Sequence, residues 1–295
     1  LTKRFGHHNA VDHVDLHIQK GAIYGFIGRN GAGKTTCLKM ISGLSTPTEG
    51  EIEIFGYKGR ELEQMRSRIG CLIEAPGLYE NMTAYENLKT KCLFCGIHKK
   101  GYIEDILDTV GLGDTGKKQT KHFSLGMKQR LGIGLALVGE PDLLVLDEPI
   151  NGLDPQGIAE VRDTLHRLQQ ERNMTILISS HILEELSKIA TDYGIIHDGT
   201  LLQELTKEEL MRRCSERIEI TLDMPERAIP VLDRLGFTQY QVTDKTHIQV
   251  YERLNESAGL NMELTKAGIP VRGITITSEE LESYYLNLTG GVSNV

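Results

Sequence analysis

A chain of 295 residues with 39% apolar and 25% charged side chains has the composition of an ordinary soluble protein, long enough for one large domain and a small one. The formal net charge of −8, with no basic stripe and no block of like charges, excludes an electrostatic footprint for nucleic acid or for an anionic membrane surface. The longest apolar run, 131–139, is too short to cross a bilayer, and five cysteines without a disulfide-like framework fit a reducing cytosol.

In chain order, the opening residues lack the basic-then-apolar pattern of a signal peptide and start on Leu1 rather than Met, which leaves room for native residues ahead. Val14, Leu16 and Ile18 alternate and predict a half-buried strand, joined by a Lys20-Gly21 turn to an apolar strand from Ala22. That strand breaks into Gly28-Arg29-Asn30-Gly31-Ala32-Gly33-Lys34-Thr35-Thr36, the GxxxxGK[ST] spacing of a phosphate-binding loop. Glycines without Cβ atoms let successive backbone N–H groups curl around phosphate oxygens, Lys34 reaches the β and γ phosphates, and the Thr35 hydroxyl is placed for Mg²⁺. A helix predicted over 34–42 points its positive end at the same anion. Residues 46–50 read as a turn and 51–56 as an alternating strand.

From Met82 the period becomes helical, with Thr83 and Glu86 spaced as a capping box and Gly96 as the stop. A second helix over 102–110 stops at Gly111, and Ser124 caps a third over 125–138, so that a helical subdomain at about 82–140 is inserted in the α/β core. Cys92, Cys95 and His98 lack a second Cys/His pair at zinc spacing and read as helix packing. The run Leu143–Leu146 is a buried parallel strand that delivers Asp147 and Glu148 at its C-terminal edge, where doubly wound sheets hold ligands. Beside a phosphate loop, Asp147 fits a partner of Mg²⁺ and Glu148 a base that orients the attacking water.

Asp154 and Pro155 start a long helix to 172, and a buried strand over 175–179 ends on Ser180-His181, where the histidine can contact a γ-phosphate. Strands over 194–197 and 200–203 flank an Asp198-Gly199 turn, and a short helix capped by Thr206 and Glu209 leads to a boundary near 214–216. Beyond it come a strand at 218–222, a helix at 226–235, strands at 239–242 and 247–251, a helix at 256–266, a strand at 271–276 and a helix at 279–288. This β-α-β-β-α-β order suggests a small ferredoxin-like appendage of α+β type, with a regulatory or interaction role.

Taken together, residues 1 to about 212 resemble the ATP-binding cassette ATPases. Phe123-Ser124-Leu125-Gly126-Met127 resembles the LSGGQ signature, keeping its serine and a glycine as Ser124 and Gly126 but carrying Leu125 and Met127 in place of the other glycine and the glutamine, Asn151-Gly152-Leu153-Asp154 resembles the D-loop, and His181 the switch histidine. Phe5 falls where the family keeps an aromatic that stacks on adenine. The resemblance implies a P-loop α/β cassette over 1–214, with a mixed-sheet core and antiparallel β and helical subdomains, followed by an accessory domain over 215–295. It implies ATP contacts from Phe5, Gly28, Asn30, Gly31, Ala32, Gly33, Lys34, Thr35, Thr36, Ser124, Gly126 and Asp154, with Mg²⁺ on Thr35, Glu74 and Asp147 and catalysis by Glu148, His181 and Lys34. Two copies would close head to tail, so that Ser124 and Gly126 act on the partner's γ-phosphate.

Glu74 stands where the family has the Q-loop glutamine; an ionised glutamate accepts hydrogen bonds but donates none. This variant, with Glu-Ala-Pro-Gly-Leu-Tyr-Glu-Asn-Met-Thr from Glu74 and Tyr-Tyr-Leu-Asn-Leu-Thr-Gly-Gly from Tyr284, is similar to the ATPase subunits of bacterial lantibiotic-immunity and bacitracin-resistance exporters. The implied protein is a cytoplasmic ATPase docked through its helical subdomain and the Glu74 segment on separate permease subunits, which expel a peptide antibiotic. Export of another substrate is an alternative. So is a non-transport clamp on ribosomes or DNA, against which stand the single cassette and the lack of heptads or a basic surface. A P-loop kinase leaves the signature, D-loop and His181 without purpose.

Overall fold

The apolar runs of the chain become the middle of a six-stranded sheet. In the computed structural model, which describes residues 1–278 and 280–290, the order is Thr200–Thr206, Asp192–His197, Ile23–Ile27, Thr175–Ser180, Leu143–Leu146 and Ile69–Leu72. Neighbours are parallel except for the first pair, the hairpin around Asp198-Gly199. Ile23–Ile27, Leu143–Leu146 and Thr175–Ser180 are buried at every position, because helices and loops cover both faces.

On one face Tyr24, Phe26, Val145 and Leu177 pack with Cys37, Leu38 and Met40 of the helix Lys34–Ile41. At roughly 1.5–3 kcal/mol for each large apolar side chain fully buried, this contact seats the helix N-terminus at the C-terminal edge of the sheet. The residues following three adjacent parallel strands, Gly28, Asp147 and His181, therefore converge on one edge.

The helical subdomain contains Ala84–Phe94, Tyr102–Thr109 and Leu125–Ala136. Thr83 and Glu86 form the expected reciprocal cap, with the Thr83 N–H donating to Glu86 Oε2 at 2.8 Å and the Glu86 N–H donating to Thr83 Oγ1 at 3.2 Å. Cys92 is buried on the first of these helices. Buried Arg130 donates to the carbonyls of Val110 at 2.9 Å and Gly111 at 2.7 Å, satisfying the end of the second helix. It also pairs with Glu160 at 2.9 Å, which ties the Leu125–Ala136 helix to Pro155–Arg172.

Three sequence expectations are corrected. Over 14–18 the alternation reports burial correctly, with Val14 buried and Leu16 and Ile18 packed on the same cluster, but no ladder forms. The opening strands are Lys3–Phe5 and His8–Val11. Backbone groups of the 14–18 segment find other partners: the Val14 N–H donates to the Leu1 carbonyl and the His17 N–H to Glu204 Oε1, both at 2.9 Å. Second, the strand expected over 51–56 is cut to Glu53–Ile54, because Phe55 and Gly56 turn at φ 58° and 81° to close a hairpin on Tyr57–Lys58. Third, the helix expected over 226–235 splits into a short 3₁₀ turn, Pro225–Arg227, and a helix, Ile229–Arg234, each with proline in its first turn.

His17 Nδ1 lies 2.8 Å from Glu204 Oε2. That hydrogen bond, and then the Glu204 charge, raise the His17 pKa above its ordinary 6.5. A raised folded-state pKa contributes stability that is full below the unfolded value and is lost as pH rises through the folded one. The melting temperature is expected to fall over that interval, and His17→Gln to flatten the slope; an unchanged slope in the variant assigns it to other groups.

Contacts divide the chain into Leu1–Lys207 and Glu208–Val295, which groups the helix Lys207–Cys214 chiefly with the second unit. The sheet of that unit has the order Tyr240–Val242, His247–Val250, Arg217–Leu222, Val271–Thr277, antiparallel throughout. Ile229–Arg234 and Ser257–Lys266 contribute Val231, Leu232, Leu260 and Leu264 to its core, and Leu281–Leu288 is its last helix. Glu279, the first residue of the helix expected there, and Gly291 of the C-terminal motif lie outside the described residues. No helix among the described residues is long and apolar enough to cross a membrane.

Candidate nucleotide site

The loop after Ile23–Ile27 is shaped by close backbone approach. Gly33 sits at φ 105°, where a Cβ would also lie 2.5 Å from the Ala10 carbonyl oxygen, and a Cβ on Gly28 would lie 2.6 Å from that of Ile196. Neither position admits a side chain. Arg29, Asn30 and Gly31 are exposed on the loop, Ala32 is buried beneath it, and Thr35 and Thr36 are half-buried in the first helical turn. No side chain caps the helix Lys34–Ile41, so its first N–H groups are open to an incoming anion.

Lys34 is only 5% exposed. Its ammonium donates to the carbonyls of Gly28 and Arg29 and lies 3.1 Å from Glu148 Oε1 as an ion pair. On the neighbouring strand end, Asp147 Oδ2 accepts the Thr35 hydroxyl at 2.7 Å, and its Oδ1 accepts the Ser179 hydroxyl at 2.6 Å. Glu148 takes the left-handed φ of 47°, a conformation that costs a non-glycine residue roughly 1–3 kcal/mol. Its carboxylate meets Lys34 on one oxygen and His181 Nδ1, at 2.8 Å, on the other. The five residues Lys34, Thr35, Asp147, Glu148 and His181, contributed by three strand ends, are thus linked through these contacts and the Ser179 hydroxyl. Such an arrangement offers a cation and open N–H groups to an anion, two hard oxygen donors to a divalent ion, and a carboxylate to a proton.

The remaining expected residues are dispersed around this network. Phe5 ends its strand 56% exposed, with the Lys3 ammonium 5.2 Å from the ring centroid. Ser124 is exposed and accepts the Met127 N–H at 3.2 Å as an N-cap, while Gly126 is buried in that helix. Asp154 caps Pro155–Arg172 by accepting the Gly157 N–H at 3.0 Å. Glu74, at φ 64°, pairs with Lys39 at 2.6 Å rather than with Thr35 or Asp147. Sequence reasoning missed Ser179 and Lys39. The available signals were a hydroxyl inside an apolar core strand and a lysine one helical turn beyond Thr35.

A strand, a glycine-shaped loop and a helix that carry a buried lysine, joined through a threonine hydroxyl to an aspartate on a neighbouring parallel strand, define a P-loop nucleoside triphosphate hydrolase. The chain belongs to the ABC transporter family, whose model matches residues 11–151, and is an ATP-binding, ATP-hydrolysing cassette of it. It is 45% identical to the bacitracin transport ATP-binding protein BcrA of Bacillus licheniformis, over 99% of this chain and 96% of that protein. The lantibiotic transport ATP-binding protein SrtF of Streptococcus pyogenes is 44% identical, over 69% of this chain and 87% of its own length. Among solved structures, the dimeric post-hydrolysis state of the ATP-binding cassette MJ0796, bound to ADP and Pi, superposes with a TM-score of 0.62 at 25% identity, covering 70% of this chain and 95% of that one.

Proposed function

We propose that this chain powers the export of a peptide antibiotic of bacitracin or lantibiotic type, as the ATPase subunit of a resistance or immunity transporter. The observation that carries the substrate class is the full-length likeness to a bacitracin transport protein, at 45% identity over 99% of the chain. In this reading residues 1–214 are the cassette and 215–295 an accessory domain.

The loop N–H groups and Lys34 bind the β and γ phosphates, and Phe5 stacks on adenine. Thr35 and Asp147, whose oxygens approach to 2.7 Å, fit Mg²⁺ by their hard-oxygen chemistry. Glu74 joins them by leaving Lys39. The ion supplies charge neutralisation on the phosphates. Glu148 takes a proton from the attacking water as the new oxygen–phosphorus bond forms and the bond to ADP breaks. His181 holds the Glu148 carboxylate and meets the γ-phosphate. Before nucleotide arrives Lys34 and Glu148 neutralise each other; phosphate draws Lys34 away and leaves the carboxylate free to act as base.

Two copies close over two nucleotides, with Ser124 and Gly126 of each on the other's γ-phosphate and Asp154 beside the seam. The exposure of the Ser124 hydroxyl and the dimeric solved relative support this arrangement. Permease subunits dock in a groove of about 440 Å³ lined by Ile73, Pro76, Asn87, Lys91, Phe94 and Leu135. Phe94, 80% exposed at its rim, is an apolar residue awaiting cover. That docking places the chain on the cytoplasmic face of the membrane.

The test is to express the chain with its candidate permease subunits in a host sensitive to bacitracin and nisin. Co-purification and raised resistance to one of these peptides are expected, with resistance lost in Glu148→Gln. Ordinary sensitivity to both peptides despite a stable complex overturns the substrate class. For the adenine contact, Phe5→Ala is expected to raise the ATP dissociation constant about tenfold, since base–aromatic stacking is worth ~1–3 kcal/mol. An unchanged constant by titration calorimetry removes Phe5 from the site.

A further inference from the structure

We propose that Ser179 is a positioning residue for hydrolysis, setting both carboxylates at once through one buried hydroxyl. The proposal rests on the roles given above to Asp147 and Glu148. Ser179 is 0% exposed, lies one residue short of the end of Thr175–Ser180, and pairs with Phe26 in the parallel ladder, so its backbone is held on the central strand. The ladder with the adjacent strand stops at Leu146 and Ile178, just before Asp147 and Ser179.

Past that point the chain leaves strand geometry, because Glu148 turns to φ 47°, and its N–H has no strand partner to donate to. The Ser179 hydroxyl takes that place. It accepts the Glu148 N–H at 2.9 Å and donates its own proton to Asp147 Oδ1 at 2.6 Å. A hydroxyl has one donor and two lone pairs, so it can serve both groups together; an alanine, valine or isoleucine could serve neither.

The consequence for the site is twofold. Asp147 is fixed on both oxygens, by Ser179 on one and Thr35 on the other, which leaves its orientation toward the loop unique. The Glu148 peptide is fixed in the left-handed turn that sends its carboxylate to Lys34 and His181. Because, among the described residues, the Ser179 hydroxyl bonds only to these two, its loss should act on the chemical step more than on binding.

The experiment compares MgATP turnover and binding by the full chain as parent, Ser179→Ala, Ser179→Thr and Glu148→Gln. Ser179→Ala is expected to lower kcat about 10–100-fold, the effect of leaving two buried polar groups unpartnered, with KM within about twofold of the parent. Ser179→Thr, which keeps the hydroxyl, is expected to retain more turnover than Ser179→Ala. A kcat for Ser179→Ala within twofold of the parent, while Glu148→Gln is inactive, overturns this proposal alone. An active Glu148→Gln overturns the assignment of Glu148 and this proposal with it. If Ser179→Ala no longer binds a fluorescent ATP analogue and has lost its folded melting transition, the residue is structural and the positioning role is overturned.

Discussion

Glu148→Gln is expected to lower steady-state ATP turnover by about 10²–10⁴-fold, the usual contribution of a positioned general base. Glutamine keeps the shape of the side chain and can still accept from His181, but its amide does not take the proton of an attacking water. ATP binding should survive and tighten, because the variant removes the negative charge that lies 3.1 Å from the Lys34 ammonium and competes for it with phosphate. Two copies should then accumulate as an ATP-dependent dimer, visible as a doubling of mass by light scattering after gel filtration. Turnover within tenfold of the parent would falsify the role of Glu148.

The second large effect concerns Lys34. Lys34→Ala removes a cation that is 5% exposed and satisfied by two carbonyls and a carboxylate. ATP affinity is expected to fall about 10–100-fold, from the ~1.5–3 kcal/mol of charge-assisted hydrogen bonds. Turnover should fall a further 10²–10³-fold, about the loss seen when one preorganised donor to a transition state is removed. Lys34→Arg should not restore activity, since a planar guanidinium does not fit the space of a compact ammonium. Lys34→Ala also leaves Glu148 without its cation, so the double change Lys34→Ala with Glu148→Gln should melt higher than Lys34→Ala alone. Additive melting shifts would show that the two groups are not coupled.

Much of the site was readable from local chemistry. The phosphate loop needs glycine where the backbone turns to φ 105° or passes within van der Waals reach of another carbonyl, and such needs leave their mark as a motif. The pair Asp147-Glu148 follows a fully buried strand, and the caps at Thr83, Ser124 and Asp154 are formed within three residues of themselves. Each of these is a short-range requirement.

What was misread depended on distant partners. Val14, Leu16 and Ile18 have the period of a strand and the burial of one, yet the segment is held by the Leu1 carbonyl and the Glu204 side chain instead of a backbone ladder. Missed rather than misread was the ion pair that Glu74, at φ 64°, makes with Lys39. Ser179 looked like one more residue of a core strand.

The sequence by itself determined that a glycine-shaped loop of phosphate-binding spacing runs from Gly28 to Thr35, that two acids follow a core strand, and that His181 follows another, because residue type and spacing alone set those local geometries. Only the tertiary structure decided which of these groups touch. The parallel order of three central strands brings Lys34, Asp147, Glu148, Ser179 and His181 to one edge, and long-range ion pairs and hydrogen bonds choose the partners: Lys34 for Glu148, Lys39 for Glu74, and a single serine for both carboxylate residues.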